Sequence, residues 1–169
     1  MFAAIAENPS PIIIPHVCND IGAWGAGFVL PLAKHFPKAR ERYIEWHDKA
    51  DKGNPLILGR SQNAFIKPNL TVVNMIGQRN VGMGNDGRPP VRYAALADCL
   101  RHVAALAEAM EAEIHAPKFG AGLAQGNWSF IETLINECWC DWDIPVTIYS
   151  LEEAQEDDLI MNDPYDMFK

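Results

Sequence analysis

Three consecutive β-branched residues, Ile12-Ile13-Ile14, stand between Pro11 and Pro15. The run is too short for a helix and too apolar for a surface loop, so it predicts a strand buried on both faces and ending at Pro15. Asn19-Asp20-Ile21-Gly22-Ala23-Trp24-Gly25-Ala26-Gly27 follows, and then apolar residues at helical spacing: Phe28, Leu32, Ala33 and Phe36. The same order returns late in the chain. Ile114 to Pro117 reads as a strand, Lys118 to Asn127 as a loop with Gly120, Gly122 and Gly126, and Trp128 to Cys140 as a helix. A repeated strand, glycine loop and helix implies an α/β sheet covered on both faces, where ligands bind beyond the carboxyl ends of the strands.

The segments between extend this frame. Pro37 suits the first turn of a helix running to Asp51, which Gly53-Asn54-Pro55 then stops. Leu56 to Leu58, Ala64 to Ile66 and Leu70 to Ile76 read as strands, the last two joined by the turn Lys67-Pro68-Asn69, which predicts an antiparallel portion of the sheet. With Val146 to Tyr149 at the end, the expectation is a three-layer α/β/α fold around a mixed sheet of about six strands. Gly77 to Pro90 has glycines, prolines and no periodicity, and is long enough for a functional loop. From Val91 to Ala112 the residues Leu96, Leu100, Val103, Leu106, Ala107 and Met110 recur at intervals of three and four, as on one buried helix face.

Charge narrows the partners. The formal net charge is −8, but Glu152 to Lys169 holds seven acids and one lysine, leaving a nearly neutral body over residues 1–151 and an acidic tail over 152–169. Such a body lacks the basic footprint of a protein that grips a nucleic-acid backbone. Cys18, Cys99, Cys138 and Cys140 have neither zinc-site nor disulfide spacing and read as reduced thiols, so no metal is expected. No run approaches the roughly 18 apolar residues that span a bilayer, and Met1 to Ser10 carries no leader pattern, so a cytoplasmic protein without a membrane partner is expected.

The glycines suggest chemistry. Successive glycines let main-chain N–H groups surround a phosphate without Cβ obstruction, and a following helix adds its positive end. Gly22, Gly25 and Gly27 with Gly120, Gly122 and Gly126 would together clamp a diphosphate, although neither loop matches the dinucleotide or P-loop fingerprints, and glycines also serve tight turns.

The residues around those glycines add a resemblance. His16-Val17-Cys18-Asn19 through Gly25-Ala26-Gly27, with Phe36-Pro37-Lys38-Ala39, resembles the first ligand loop and helix of macro domains, in the branch that includes the ADP-ribose-1''-phosphate phosphatases and a terminal ADP-ribose protein glycohydrolase. Pro117-Lys118-Phe119-Gly120-Ala121-Gly122-Leu123-Ala124, with Trp128 beyond, resembles the family's phosphate loop. Asn74 to Gln78 and Pro89 to Tyr93 resemble the middle of bacterial members. The similarity runs from about Ile12 to Leu151. It implies ADP-ribose or ADP-ribose-1''-phosphate as ligand, or an ADP-ribosylated macromolecule, with no separate cofactor. It also implies that Asn19 bonds the distal ribose, that Gly25-Ala26-Gly27 and Gly120-Ala121-Gly122 hold the diphosphate, and that Phe119 or Leu123 packs near the ligand.

The chain also departs from the family. Where macro domains usually open with a strand and an aspartate for adenine, the register gives Ala3-Ala4-Ile5. Where the glycohydrolase uses a lysine and an aspartate, the register gives Gly77 or Gln78 and Ala124, which exclude a Schiff base and a proton acceptor. Asp20 remains as a candidate to orient or deprotonate a water, or else caps the glycine turn. Trp24 either closes over a ligand or covers the core. His16 and His115 are read as core residues, and Lys118 as a strand-end lysine that could balance phosphate charge. Hydrolysis at the distal ribose, a reader that binds without chemistry, and a ligand-free scaffold all remain open.

Overall fold

The computed structural model describes residues 1–49 and 55–150. The acidic segment 152–169 and the expected helix stop at Gly53-Asn54 lie outside the described residues.

Five strands form one sheet in the order β2-β3-β1-β4-β5: β1 Ile12–Asn19, β2 Ser61–Lys67, β3 Leu70–Gln78, β4 Glu113–Pro117 and β5 Val146–Tyr149. β1 pairs in parallel with β3 and β4, and β4 with β5, while β2 runs antiparallel to β3 across the Pro68-Asn69 turn. The helices are α1 Phe2–Glu7, α2 Val29–His35, α3 Pro37–Asp48, α4 Tyr93–Met110 and α5 Trp128–Cys138.

Side chains alternate across the central strands and feed a core on each face. Ile13, Val73, Met75, Ile114 and Ala116 pack toward Leu96, Leu100 and Val103 of α4 and Ile131 and Ile135 of α5. Ile12, Ile14 and Val72 pack with Ile5 of α1, Leu32 of α2 and Ala39 of α3. Trp139, wholly buried, closes the first core and donates its Nε1–H to the carbonyl of Leu100 at 2.9 Å. The three-layer mixed α/β/α arrangement is the expected one.

Two local expectations are corrected. Leu56 to Leu58 is not a strand, which gives five strands among the described residues rather than six. Leu56 is buried beside Tyr43 and Trp46 while Ile57 is exposed, and the chain turns at Gly59, whose φ of 89° suits glycine, before β2 begins. β1 does not stop at Pro15 but runs on to Asn19. Its ladder to β3 continues through Pro15↔Val73, while the residues registered with β4 are Ile12 and Ile13 only, so the missing N–H interrupts one flank and leaves the other to hold the register. The segment around Ala3-Ala4-Ile5 is helical and seats Phe2 against Phe28 and His35, at ring distances of 5.9 and 4.3 Å. None of the described helices is long and apolar enough to cross a membrane.

Candidate functional site

Because β1, β3 and β4 are parallel, the loops that follow them leave the same edge of the sheet. They touch one another there. A Cβ built on Gly27 would lie 3.2 Å from Leu123 Cδ1, which joins the first and last loops. The carboxyl group of Asp20 accepts a hydrogen bond from the Asn80 N–H at 2.7 Å, which joins the first to the middle loop. The Val91 N–H bonds to the Ala124 carbonyl at 3.2 Å and joins the middle to the last.

The first loop is shaped by Asn19. A register shift between Cys18 and Asn19 turns this side chain inward, leaving it 6 % exposed. Its Oδ1 accepts from the N–H groups of Ile21 and Ala23, at 3.2 and 2.9 Å, and from the Tyr43 hydroxyl at 3.0 Å, while its Nδ2 donates to the Ala23 carbonyl at 2.6 Å. The Tyr43 hydroxyl also bonds to the Asn19 carbonyl at 2.6 Å, and burial pushes its pKa well above the ordinary phenol value. Gly22, at φ 74°, lies under the His47 ring, which occupies the space a Cβ there would take. Trp24 faces inward: its Nε1 donates to the Val29 carbonyl at 3.0 Å and its ring packs on His16 and Tyr43. Trp24 is half-buried, so the ring covers the core on one side and is exposed on the other.

The last loop folds on its own backbone. Gly126 N–H bonds to the Gly120 carbonyl at 2.8 Å and Gln125 N–H to the Gly122 carbonyl at 2.9 Å. Gly120, at φ 77°, packs against Ile131, and Phe119 is buried edge-on to Trp139. Ala121 is half-buried, and Leu123 is 65 % exposed beside Gly27. Asn127 caps α5, accepting from the Phe130 N–H, and its own N–H bonds to the Tyr93 hydroxyl.

Within the first and last loops, Gly25 and Gly122 differ from the other glycines, because no atom lies within 4 Å of where their Cβ would be. The N–H groups of Gly25, Ala26 and Gly27, and of Gly120, Ala121 and Gly122, find no hydrogen-bond partner among the described residues. Two glycine segments in contact, both with uncommitted amides, offer a set of donors suited to an anion. Asp20 stands at its border with one carboxyl oxygen held by Asn80.

His16, His115 and Lys118 stand apart from this surface. His16 is buried beneath Trp24. Asn74 uses its Nδ2 on the Ala39 carbonyl and Gln62 Oε1, so its Oδ1 must accept from His16 Nε2, at 2.6 Å. Burial holds the His16 pKa down at about 4. Protonation therefore favours the unfolded chain, and this histidine alone should remove about 2 kcal/mol of stability as pH falls from 7.5 to 5. Urea midpoints across that range test this, and His16→Gln should flatten the slope. His115 bonds to the Tyr149 hydroxyl at 2.8 Å and to Glu113 at 3.3 Å, as a satisfied core residue does. The Lys118 ammonium lies over the Trp128 ring, 5.0 Å from its centroid. The four cysteines are unpaired, and three are buried.

Tyr43 and His47 are the contributors to the first loop that the sequence did not single out. Tyr43 was legible only as an apolar helix position, and nothing in its spacing says that its hydroxyl meets Asn19.

An α/β/α sandwich that gathers two glycine loops at its carboxyl edge has the layout in which doubly wound α/β proteins place their ligand sites. No protein-family model matches the sequence. Among solved structures, a macrodomain protein from Streptomyces coelicolor is 36% identical, with a TM-score of 0.74, over 88% of this chain and 94% of that one. A protein of unknown function from Bacteroides thetaiotaomicron is 37% identical, with a TM-score of 0.82, over 89% and 94%. Among curated proteins, an ADP-ribose 1''-phosphate phosphatase from Candida albicans is 26% identical over 136 residues, 75% of this chain and 81% of that protein. The chain belongs to the macrodomain family.

Proposed function

We propose that the glycine loops at the carboxyl edge bind ADP-ribose or ADP-ribose-1''-phosphate and that the reaction there is hydrolysis at the distal ribose. The observation that carries this reading is the pair of touching glycine segments, whose free N–H groups offer a diphosphate several donors at little reorganisation cost. The name of the Candida albicans relative supports the phosphate ester as substrate. Release of ADP-ribose from a modified macromolecule would use the same pocket, with the water directed at C1'' instead of at phosphorus.

In this reading Asn19 acts first by shaping the loop, since its Oδ1 is already engaged, and the remaining Nδ2 hydrogen is what it has left for a ribose hydroxyl. Gly25 to Gly27 and Gly120 to Gly122 hold the diphosphate, with Leu123 along the ligand and Phe119 beneath the loop as support. Asp20, fixed through one oxygen by Asn80, keeps its second oxygen to orient a water and accept its proton. That water attacks phosphorus, the bond from phosphorus to the C1'' oxygen breaks, and ADP-ribose and inorganic phosphate leave. The adenine is met without the family's usual aspartate, because Ala3 and Ala4 on α1 bring no carboxyl group. We place the protein in the cytoplasm.

A second reading, a reader without chemistry, is favoured by two specific positions: Gln78 donates its amide to the Asn80 carbonyl, and Ala124 is buried. Asp20→Ala separates the two. Phosphate release from ADP-ribose-1''-phosphate is expected to fall on the order of a hundredfold or more, with ADP-ribose affinity nearly kept. Undiminished turnover would remove Asp20 from the chemistry, and no turnover by the parent protein would leave the reader.

A further inference from the structure

A cavity of about 780 Å³ opens at the opposite, amino-terminal edge of the sheet, far from the glycine loops. It lies where α4 and α5 end and β4 and β5 begin. Its size is within the range of ligand sites, about 300–1,000 Å³. Ala104 and Ala107 of α4 line it with short side chains, so a shallow apolar trough is left between the helices.

The rim is strongly one-signed. Glu108, Glu137 and Asp143 all line the cavity, and their carboxyl groups form no salt bridge with a described residue. Arg101, also on the wall, is held by Asp98 on its own helix at 2.9 Å. Two helices direct their carboxyl ends to this edge, each adding partial negative charge. Beside the carboxyl groups Trp142 is 71 % exposed, a large aromatic surface of the kind that anchors interfaces and receives cations on its face.

We infer that this groove docks a basic, lysine- or arginine-bearing segment of a partner protein, with the aliphatic stems over the alanines and the charged ends among Glu108, Glu137 and Asp143. Charge complementarity selects that occupant. Nucleic acid and anionic membranes would be repelled, and a second copy would set acid against acid. The chain's own segment 152–169 is acidic as well. The groove thus offers a second binding face, independent of the glycine cleft, through which a partner is held while the cleft stays open.

The test is fluorescence anisotropy of the full chain with a labelled, acetylated peptide of alternating arginine or lysine and leucine, at physiological ionic strength. Binding is expected to saturate and to weaken about tenfold or more in Trp142→Ala and in the double variant E108Q/E137Q. Those positions are exposed, so unfolding midpoints should match the parent. E153Q/E156Q in the acidic segment should change the affinity less than about twofold, and saturating ADP-ribose should not compete. Absence of binding, equal weakening by E153Q/E156Q, competition by ADP-ribose, or equally tight binding of spermine would each overturn the proposal.

Discussion

Asn19→Ala is expected to lower the stability of the domain by about 3 kcal/mol and to abolish measurable ADP-ribose binding together with it. The side chain accepts three hydrogen bonds and donates one within the first loop, and it is almost fully buried. Removing it strands the N–H groups of Ile21 and Ala23 in a partly buried turn, and an unmade buried bond costs about 1–3 kcal/mol. Tyr43 keeps its bond to the Asn19 carbonyl, which limits the loss. Asn19→Asp retains the acceptors but sets a carboxylate oxygen against the Ala23 carbonyl in a buried position, so it should recover only part of the stability. Urea unfolding of the three proteins, followed by titration with ADP-ribose, reads both effects, and parental stability in the alanine variant would refute the role of Asn19 as the loop's organiser.

Gly126→Ala should be similarly damaging, for a steric reason. Its Cβ would stand 2.6 Å from the Gly120 carbonyl oxygen and 3.1 Å from both Ile131 Cδ1 and Val91 Cγ1. The first of these neighbours is backbone, and it is the acceptor of the bond that closes the last loop. Relief requires opening that loop or displacing α5, at a cost of about 2–4 kcal/mol. Thermal unfolding should show the loss, and the open loop should no longer present the Gly120 to Gly122 amides to a ligand.

Periodicity and punctuation made much of this arrangement legible. The three-and-four spacing from Leu96 to Met110 yields α4, Lys67-Pro68-Asn69 yields the β2–β3 turn, and the glycines after Asn19 and Pro117 fall where the sheet's carboxyl edge gathers them. Readings failed where a local signal was outweighed by contacts distant in sequence. Pro15 looks like a strand end but is carried through by the ladder to β3. Leu56 to Leu58 looks like a strand but serves as a plug beside Tyr43. Phe2 to Glu7 has too few residues for a period, and its helix is settled by packing of Phe2 and Ile5.

The site was legible as a set of loops and not as a set of contacts. A sequence shows glycines but not which of them are filled, and here Gly22, Gly120 and Gly126 are packed against neighbours while Gly25 and Gly122 are open. Likewise Asn19, Asp20 and Trp24 lie in the expected loop, yet their partners Tyr43, Asn80 and Val29 come from other elements or a later turn. Hydrogen bonds across long separations leave no spacing to read.

That division between filled and open glycines gives the most direct test of the account. The measurement is calorimetric titration of ADP-ribose into the parent chain and Gly122→Val, with unfolding midpoints recorded alongside. A Cβ at Gly122 meets no atom within 4 Å, so the variant should unfold at the parental midpoint, while its branched side chain blocks the amides meant for the diphosphate. Micromolar binding by the parent is expected, accompanied by ligand stabilisation, with affinity at least about tenfold weaker in the variant. Absence of heat and of stabilisation in the parent, or equal affinity in the two proteins, would contradict the proposed site.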